Sequence, residues 1–182
     1  MKKALLVVDY QYDFVAEDGL LTVGKVAQNL ENIINERIEK YLSEKNEIIF
    51  TLDTHIKDEW ENHPESENFP LHCEKGTKGH EIFGKIKEKA NLENIQKIYK
   101  KGYCPKNCDL KNIVNKYDEI EIIGVVTDIC VLQTAIGLYN ISVNLGKKIK
   151  IKIFEKGCAS FNAQGHEFAL NYLNNILGCE II

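Results

Sequence analysis

The sequence predicts a three-layer α/β/α fold in which helices cover both faces of a central parallel sheet of about six strands. Short apolar segments alternate along the chain with longer segments of helical periodicity. Strands and helices that alternate in this way are typical of parallel sheets, because each crossover needs a helix. A length of 182 residues suits one hydrophobic core, so a single domain is expected over residues 1–182.

Six segments have the composition of strands. The first is a continuous apolar run that ends in Asp9, and the second is a similar run that ends in Asp53. Continuous apolar runs are typical of strands that are buried on both faces. The predicted strands are residues 4–9, 47–53, 96–100, 119–126, 148–155 and a short last strand at 180–182.

Five segments between these strands have helical spacing of apolar residues. The predicted helices are residues 25–43, 79–89, 109–116, 129–145 and 163–177. One segment, 54–77, is instead long and polar and is rich in Asp, Glu and His. Loops of this length in compact domains are usually functional or disordered. This loop follows the carboxyl end of a predicted strand, which is the edge where open α/β sheets bind ligands.

Composition narrows the class of protein. The net charge of −4 gives no general attraction to nucleic acid or to an anionic membrane, so neither partner is expected. No apolar run approaches the roughly 18 to 20 residues that span a bilayer, and Asp9 ends the first run too early for a signal peptide. The six cysteines form no compact disulfide pattern, which favours a reducing, cytoplasmic location.

Polar side chains lie where several predicted strands end. Asp9, Asp53 and Lys100 stand at strand ends, and Cys130 lies a few residues past another. Because parallel strands end at one edge of the sheet, these groups can converge. Cys130 falls at a strand-to-helix turn, where a helix N-terminus lowers a thiol pKa and its N–H groups can hold an oxyanion. The alternative is a buried, inert cysteine, and position alone does not decide between the two.

Two further groups can assist such a thiol. Asp9 can accept the thiol proton, although a turn or N-cap aspartate is an equal alternative. Lys100 can balance that carboxylate and keep it ionised. Lys101 is adjacent, so the lysine assignment is open between these two residues.

The long loop contains a candidate metal site. Asp53 and His55 are two residues apart, so on an extended segment their side chains point the same way. With His72 they form a mixed nitrogen and oxygen set that suits zinc, iron or manganese. Glu65 or His63 can supply a fourth ligand. The alternative is a set of polar loop residues that face water.

Taken together, the segments resemble the isochorismatase-like cysteine hydrolases, and within them the nicotinamidases. The resemblance extends over nearly the whole chain, and the order and spacing of its motifs are more specific than any one of them. The matching motifs are Asp9–Phe14 (Asp-x-Gln-x-Asp-Phe), Asp53–His55, Phe69–Thr77, Lys100–Tyr103 (Lys-x-x-Tyr) and Gly124–Thr134.

The resemblance implies an isochorismatase-like, Rossmann-like fold with a catalytic triad of Asp9, Lys100 and Cys130. It also implies a non-proline cis peptide bond between Val125 and Val126. In the family, this bond directs the N–H of the second residue, together with that of the cysteine, at the substrate oxygen.

The resemblance further implies the ligands and the substrate. One divalent ion is expected, with zinc first and iron or manganese as alternatives, on Asp53, His55, Glu65 and His72. The aromatic residues expected to flank the substrate ring are Phe14, Phe69 and Tyr103. The implied reaction hydrolyses nicotinamide to nicotinate and ammonia in the recycling of nicotinamide towards NAD, and the implied assembly is a homodimer or homotetramer.

Two departures from the family pattern leave alternatives. After the lysine the chain has Tyr103–Lys106 (Tyr-Cys-Pro-Lys) where the family often has Tyr-Ser-Ala-Phe, and it has Asp-Thr-His at Asp53–His55 where nicotinamidases often have Asp-Trp-His. A hydrolase of the same fold that acts on another small amide or carbamoyl substrate is therefore the nearest rival. A non-catalytic binding module of this fold is the rival from another class.

Overall fold

In the computed structural model, which describes residues 1–93 and 95–182, six strands form one sheet. All strand pairs are parallel and the order is β3-β2-β1-β4-β5-β6, which confirms the predicted parallel sheet. The strands are β1 (Lys3–Val8), β2 (Glu47–Asp53), β3 (Ile95–Lys100), β4 (Glu119–Val125), β5 (Lys150–Ala159) and β6 (Glu180–Ile181).

The α-helices in the described ranges differ in length. They are α1 (Tyr12–Val15), α2 (Lys25–Gln28), α3 (Leu30–Ser43), α4 (Lys57–Trp60), α5 (Ile86–Lys89), α6 (Asn107–Lys116), α7 (Leu132–Asn144) and α8 (Ala163–Asn175). Four of them, α3, α6, α7 and α8, have at least ten residues and match predicted helices, and the other four are single turns. Short 3₁₀ turns cover Pro64–Glu67 and Lys78–His80, and a π-helical turn covers Thr127–Val131. None of these helices is long and apolar enough to cross a lipid bilayer.

The predicted helix over residues 79–89 is wrong in its first half. Phe83 donates its N–H to the carbonyl of Tyr10 at 2.9 Å, and Ile82 forms an antiparallel bridge with Gln11. These tertiary bonds hold the segment extended, so they override the local helical spacing. Within this range only Ile86–Lys89 is α-helical, and the first two residues belong to the 3₁₀ turn Lys78–His80.

Strand β5 is longer at its carboxyl end than predicted. After a register irregularity, Cys158 pairs with Gly124 and Ala159 pairs with Val125. The prediction ended this strand at residue 155. The longer strand carries the chain to Ser160 and Phe161 at the edge of the sheet where the polar strand ends converge.

The sheet has a hydrophobic core on each face because successive strand residues point to opposite sides. Leu5 and Val7 of β1 pack in one core with helices α2 and α3. Leu6 and Val8 pack in the other core with helices α6, α7 and α8. The helices on both faces complete the three layers, as predicted.

The register of the sheet brings the polar strand ends together. Asp53 is paired with Lys100 across β2 and β3, and Val8 is paired with Gly124 across β1 and β4. Gly124 has φ of +123°, and a Cβ at this position would lie 2.1 Å from the Val8 carbonyl oxygen. Only glycine therefore lets β4 approach β1 here, directly beside Asp9.

Candidate active site

A buried lysine links the two aspartates at the strand ends. Lys100 is 1% exposed, and its Nζ lies 2.7 Å from Asp9 Oδ2 and 3.5 Å from Asp53 Oδ1. Burial alone would lower the pKa of Lys100, but the charges of Asp9, Cys130 and Asp53 raise it well above its ordinary value. Lys100 is therefore a fixed positive charge that offsets the buried carboxylates.

Lys101, the alternative lysine, lies outside this group. Its side chain is exposed and pairs with Glu59. The structure thus places Lys100, and not its neighbour, between the aspartates.

Asp9 is oriented by its neighbours. Its N–H donates to the Thr51 carbonyl at 3.2 Å, and the Thr51 hydroxyl donates to Asp9 Oδ1 at 2.7 Å. The second carboxylate oxygen is left facing Lys100. Burial raises the pKa of Asp9, and the charge of Asp53 adds to this effect, whereas Lys100 and Thr51 oppose it. A carboxyl group whose pKa is raised is suited to accept and return a proton.

Cys130 lies beside Lys100 and is nearly buried. Its Sγ is 3.6 Å from Lys100 Nζ, and 4% of the residue is exposed. Burial raises the pKa of the Cys130 thiol well above its ordinary value; the charge of Lys100 lowers it, and that of Asp9 raises it again. This direction is opposite to the one expected from the helix N-terminus. A raised pKa favours the neutral thiol, so Cys130 would need a base to act as a nucleophile.

The turn that carries Cys130 is held by its neighbours. The Ser160 hydroxyl donates to Asp128 Oδ1, and the Thr127 hydroxyl is 2.9 Å from His166 Nδ1. These bonds join the turn to the end of β5 and to helix α8. The peptide bond between Val125 and Val126, just before the turn, is cis, as the family resemblance implies.

The four predicted metal ligands form one compact cluster. Asp53, His55, Glu65 and His72 are all buried, and each offers a ligand atom within 4.8 Å of the others. Asp53 Oδ2 is 3.1 Å from His55 Nε2 and 3.3 Å from His72 Nε2. Two imidazoles and two carboxylates fit a divalent transition-metal ion such as zinc.

The buried carboxyl groups of this cluster also favour the binding of a cation. Burial would raise the pKa of Asp53, but Lys100 and hydrogen bonds from His55 and His72 hold it far below its ordinary value. Burial and the charge of Asp53 raise the pKa of Glu65. Asp53 Oδ1 is buried and accepts no hydrogen bond from the part of the chain that the structure describes. A divalent cation would offset this excess of buried acidic groups.

His72 and His63 of the polar loop have different roles. His72 Nδ1 is 2.8 Å from the Pro70 carbonyl, which turns Nε2 towards the cluster. His63 has both ring nitrogens engaged, because Nδ1 accepts the Glu65 N–H at 3.3 Å and Nε2 lies 2.7 Å from the Lys101 carbonyl. Glu65 is therefore the fourth member of the cluster, and His63 supports the backbone around it.

The thiol and the cluster open into one pocket. Cys130 and three cluster members share its walls with the three predicted aromatic residues and Val126. Those aromatic residues are Phe14, Phe69 and Tyr103. Leu21, Ile129 and Phe161, which were not predicted from the sequence, complete the lining. Phe161 follows the true end of β5, so only a correct strand boundary could have identified it.

The fold and the site together define a parallel α/β protein that places a cysteine–lysine–aspartate group beside a cluster of four residues that could hold a metal ion. The isochorismatase domain family matches residues 3–181, and the chain belongs to this family. The isochorismatase family protein PncA of Bacillus subtilis is 32% identical over 188 residues, covering 100% of this chain and 99% of the relative.

Two solved structures extend the comparison. The pyrazinamidase/nicotinamidase of Streptococcus mutans superimposes with a TM-score of 0.89 at 36% identity, covering 100% of both chains. The pyrazinamidase of Pyrococcus horikoshii, in complex with zinc, has a TM-score of 0.81 at 26% identity and covers 100% of this chain and 99% of its own.

Proposed function

We propose that this protein is a nicotinamidase, an amidohydrolase that converts nicotinamide to nicotinate and ammonia through a thioester on Cys130. The observation that carries the proposal is the shared pocket, because Cys130 and three residues of the metal-binding cluster line it together. The Streptococcus mutans relative, which carries the name pyrazinamidase/nicotinamidase, supports this choice of substrate.

The cluster of Asp53, His55, Glu65 and His72 would hold one divalent ion. Zinc is favoured by the ligand types and by the zinc complex of the Pyrococcus horikoshii relative, and iron or manganese are the alternatives. When bound, the ion would hold the pyridine nitrogen, directly or through a water, and so fix the ring relative to Cys130.

In the first half-reaction, Asp9 removes the proton of the Cys130 thiol and the sulfur attacks the amide carbon. The carbon–nitrogen bond then breaks, Asp9 returns its proton to the nitrogen, and ammonia leaves. Lys100 stays charged and stabilises Asp9 while it is ionised. The N–H groups of Val126 and Cys130 hold the oxyanion, and each such donor typically contributes about 3 kcal/mol.

In the second half-reaction, Asp9 removes a proton from water, and the water oxygen attacks the thioester carbon. The carbon–sulfur bond breaks, nicotinate leaves, and the proton returns to the thiol of Cys130. The rings of Phe14, Phe69 and Tyr103 flank the substrate ring and exclude bulk water from the thioester.

The biological setting is part of the same proposal. We propose that residues 1–182 act as one catalytic domain, in a homodimer or homotetramer, in the cytoplasm, where nicotinamide is recycled towards NAD. All six cysteines are free thiols, which supports a reducing compartment.

Ammonia release from a panel of amides tests the proposal. Nicotinamide should be hydrolysed at least about 100-fold better, in kcat/KM, than benzamide, because benzamide has the same shape but no ring nitrogen. Removing the metal with a chelator should abolish this preference, and added zinc should restore it.

The other outcomes are equally informative. Faster release from a carbamoyl amide than from nicotinamide would assign the protein to the rival hydrolase class. If the zinc-loaded protein releases no ammonia from any amide in the panel, the fold serves as a binding module and the enzyme proposal is wrong.

A further inference from the structure

We propose that Gln11 and Asp13 are positioning residues for the metal-binding cluster, and that each acts on the backbone of a different ligand segment. Gln11 fixes the backbone of Asp53, and Asp13 fixes the backbone that follows His72. The proposal deepens the proposed metal-assisted function and rests on it.

Gln11 is completely buried and its side-chain amide bonds to the end of β2. Its Oε1 accepts the N–H of Asp53 at 2.7 Å, and its Nε2 donates to the Asp53 carbonyl at 2.9 Å and to the His80 carbonyl at 3.0 Å. The amide thus pairs with both backbone groups of one residue, as a neighbouring strand would. Because Asp53 is held on both sides, its carboxylate has a defined direction towards the cluster.

Asp13 is a buried carboxylate that accepts backbone N–H groups. Its Oδ2 accepts the N–H of Cys73 at 2.7 Å, and its Oδ1 accepts the N–H of Leu20 at 3.2 Å. Cys73 directly follows His72 and has φ of +46°, which residues other than glycine rarely adopt. The strong bond to a carboxylate holds this unusual conformation and thereby the direction in which His72 leaves the chain.

The space around Asp13 is closed by Gly79. A Cβ at this glycine would lie 2.1 Å from Asp13 Oδ2, so the 3₁₀ turn packs directly against the carboxylate. The Asp13 side chain therefore has no room to change its conformation while the loop stays in place.

The two ligand segments also hold each other. His55 donates its N–H to the Cys73 carbonyl at 3.2 Å, and Lys75 donates its N–H to the His55 carbonyl at 2.9 Å. A shift of Cys73 would therefore move His55 as well as His72. Since Asp9, Gln11 and Asp13 lie within five consecutive residues, one short segment supports both the thiol chemistry and the metal-binding cluster.

The test is the zinc affinity of metal-free protein, measured by competition with a chromophoric chelator. Gln11→Met keeps the length of the side chain and removes its three hydrogen bonds, and Asp13→Asn keeps the shape and removes the charge. Both variants should bind zinc about 10- to 100-fold more weakly than the unchanged protein. Excess zinc should restore most of kcat in both, because neither residue is among those that line the pocket.

Matched controls carry the same chemical changes away from the site. Gln96→Met on β3 and Asp118→Asn ahead of β4 are exposed, and they should leave the zinc affinity unchanged. Circular dichroism in chelator checks that each variant is folded. If Gln11→Met does not fold, Gln11→Glu serves instead, because its carboxylate can still accept the Asp53 N–H while both donors are lost.

Zinc affinities within about twofold of the unchanged protein in the folded variants would overturn the inference. So would the absence of zinc binding by the unchanged protein. The affinity is independent of which amide is hydrolysed. The inference therefore stands if zinc binding falls as expected, even where nicotinamide proves not to be the substrate.

Discussion

At the scale of single residues, the environment of Asp9 decides how the Cys130 thiol can become reactive. Burial raises the pKa of both groups, so a resting thiolate is disfavoured and the proton must move during the reaction. Thr51 and Lys100 are the neighbours that lower the pKa of Asp9. Replacing Thr51 disturbs the site less than replacing Lys100, because the Thr51 side chain is uncharged. It also bonds to the carboxylate oxygen of Asp9 that does not face Lys100.

Thr51→Val should move the acidic limb of the pH profile of kcat/KM to higher pH. The Thr51 hydroxyl stabilises the ionised carboxylate of Asp9, so its loss raises the pKa of Asp9, and the base becomes available only at higher pH. A hydrogen bond to a charged group is worth about 1.5 kcal/mol or more, which corresponds to a shift of about one pH unit. The measurement is ammonia release between pH 4 and pH 8, conditions chosen to bracket the limb.

Thr22→Val is the matched control, because the Thr22 hydroxyl accepts the nearby backbone N–H of Gly24 and has no other hydrogen bond within residues 1–93 and 95–182. Its acidic limb should coincide with that of the unchanged protein. A limb that stays in place in Thr51→Val, or moves to lower pH, would contradict the proposed role of Asp9 as the base.

The sequence predicted the residues that meet at this edge of the sheet better than the contacts that support them. Asp9 was identifiable because a charged group at the end of an apolar strand is unusual, whereas Lys100 was preferred to Lys101 only through the family resemblance. Thr51 was not identifiable, because a threonine inside a strand matches the ordinary preference for β-branched residues. The role of Gln11 was hidden for a similar reason, since hydrogen bonds to distant backbone groups leave no local pattern.

At the scale of elements, helix α6 ends in a group of carbonyls that one lysine satisfies. Lys147 Nζ donates to the carbonyls of Val114, Asn115 and Tyr117 at 2.6, 3.0 and 3.1 Å. A cation at a helix C-terminus also interacts favourably with the helix dipole. These contacts lie at the edge of the sheet where the strands begin, away from the active-site pocket.

Lys147→Met should lower the free energy of unfolding by about 1 to 3 kcal/mol, because charge-assisted hydrogen bonds to the carbonyls are lost. The exposed neighbour offers a matched control, since Lys148→Met removes the same charge and should change stability by less than about 0.5 kcal/mol. Urea denaturation measures both, and kcat/KM should be unchanged in each. Equal stability of the two variants would show that the lysine contacts do not stabilise the helix.

The boundaries of elements were less predictable than their existence. Helical spacing identified α3 and α8 with small errors, because their apolar faces are continuous. It did not separate the extended segment before α5 from a helix, since the bonds that hold that segment are made to Tyr10 and Gln11, far away in the sequence. The carboxyl end of β5 was missed because its last residues are stabilised by a register shift in the sheet.

At the scale of the whole molecule, the parallel sheet explains why residues so distant in sequence form one site. Strand ends at Asp9, Asp53 and Lys100 share an edge, and the turn after β4 adds Cys130 to the same edge. This convergence could be predicted from the alternating pattern of the sequence alone. It could not be predicted from this pattern that the polar loop closes over the same edge. Glu65 and His72 reach the cluster through tertiary contacts, which periodicity does not encode.

The most direct test of the account is nicotinate formation by Cys130→Ala, with the bound zinc measured in the same sample. The variant should lose at least about 1,000-fold in kcat and keep the zinc content of the unchanged protein, because Cys130 is the proposed nucleophile and is not one of the four cluster residues. Cys108→Ala, which removes an exposed thiol, should retain full activity. Turnover by Cys130→Ala at the rate of the unchanged protein would contradict the assignment of the nucleophile and, with it, the proposed mechanism.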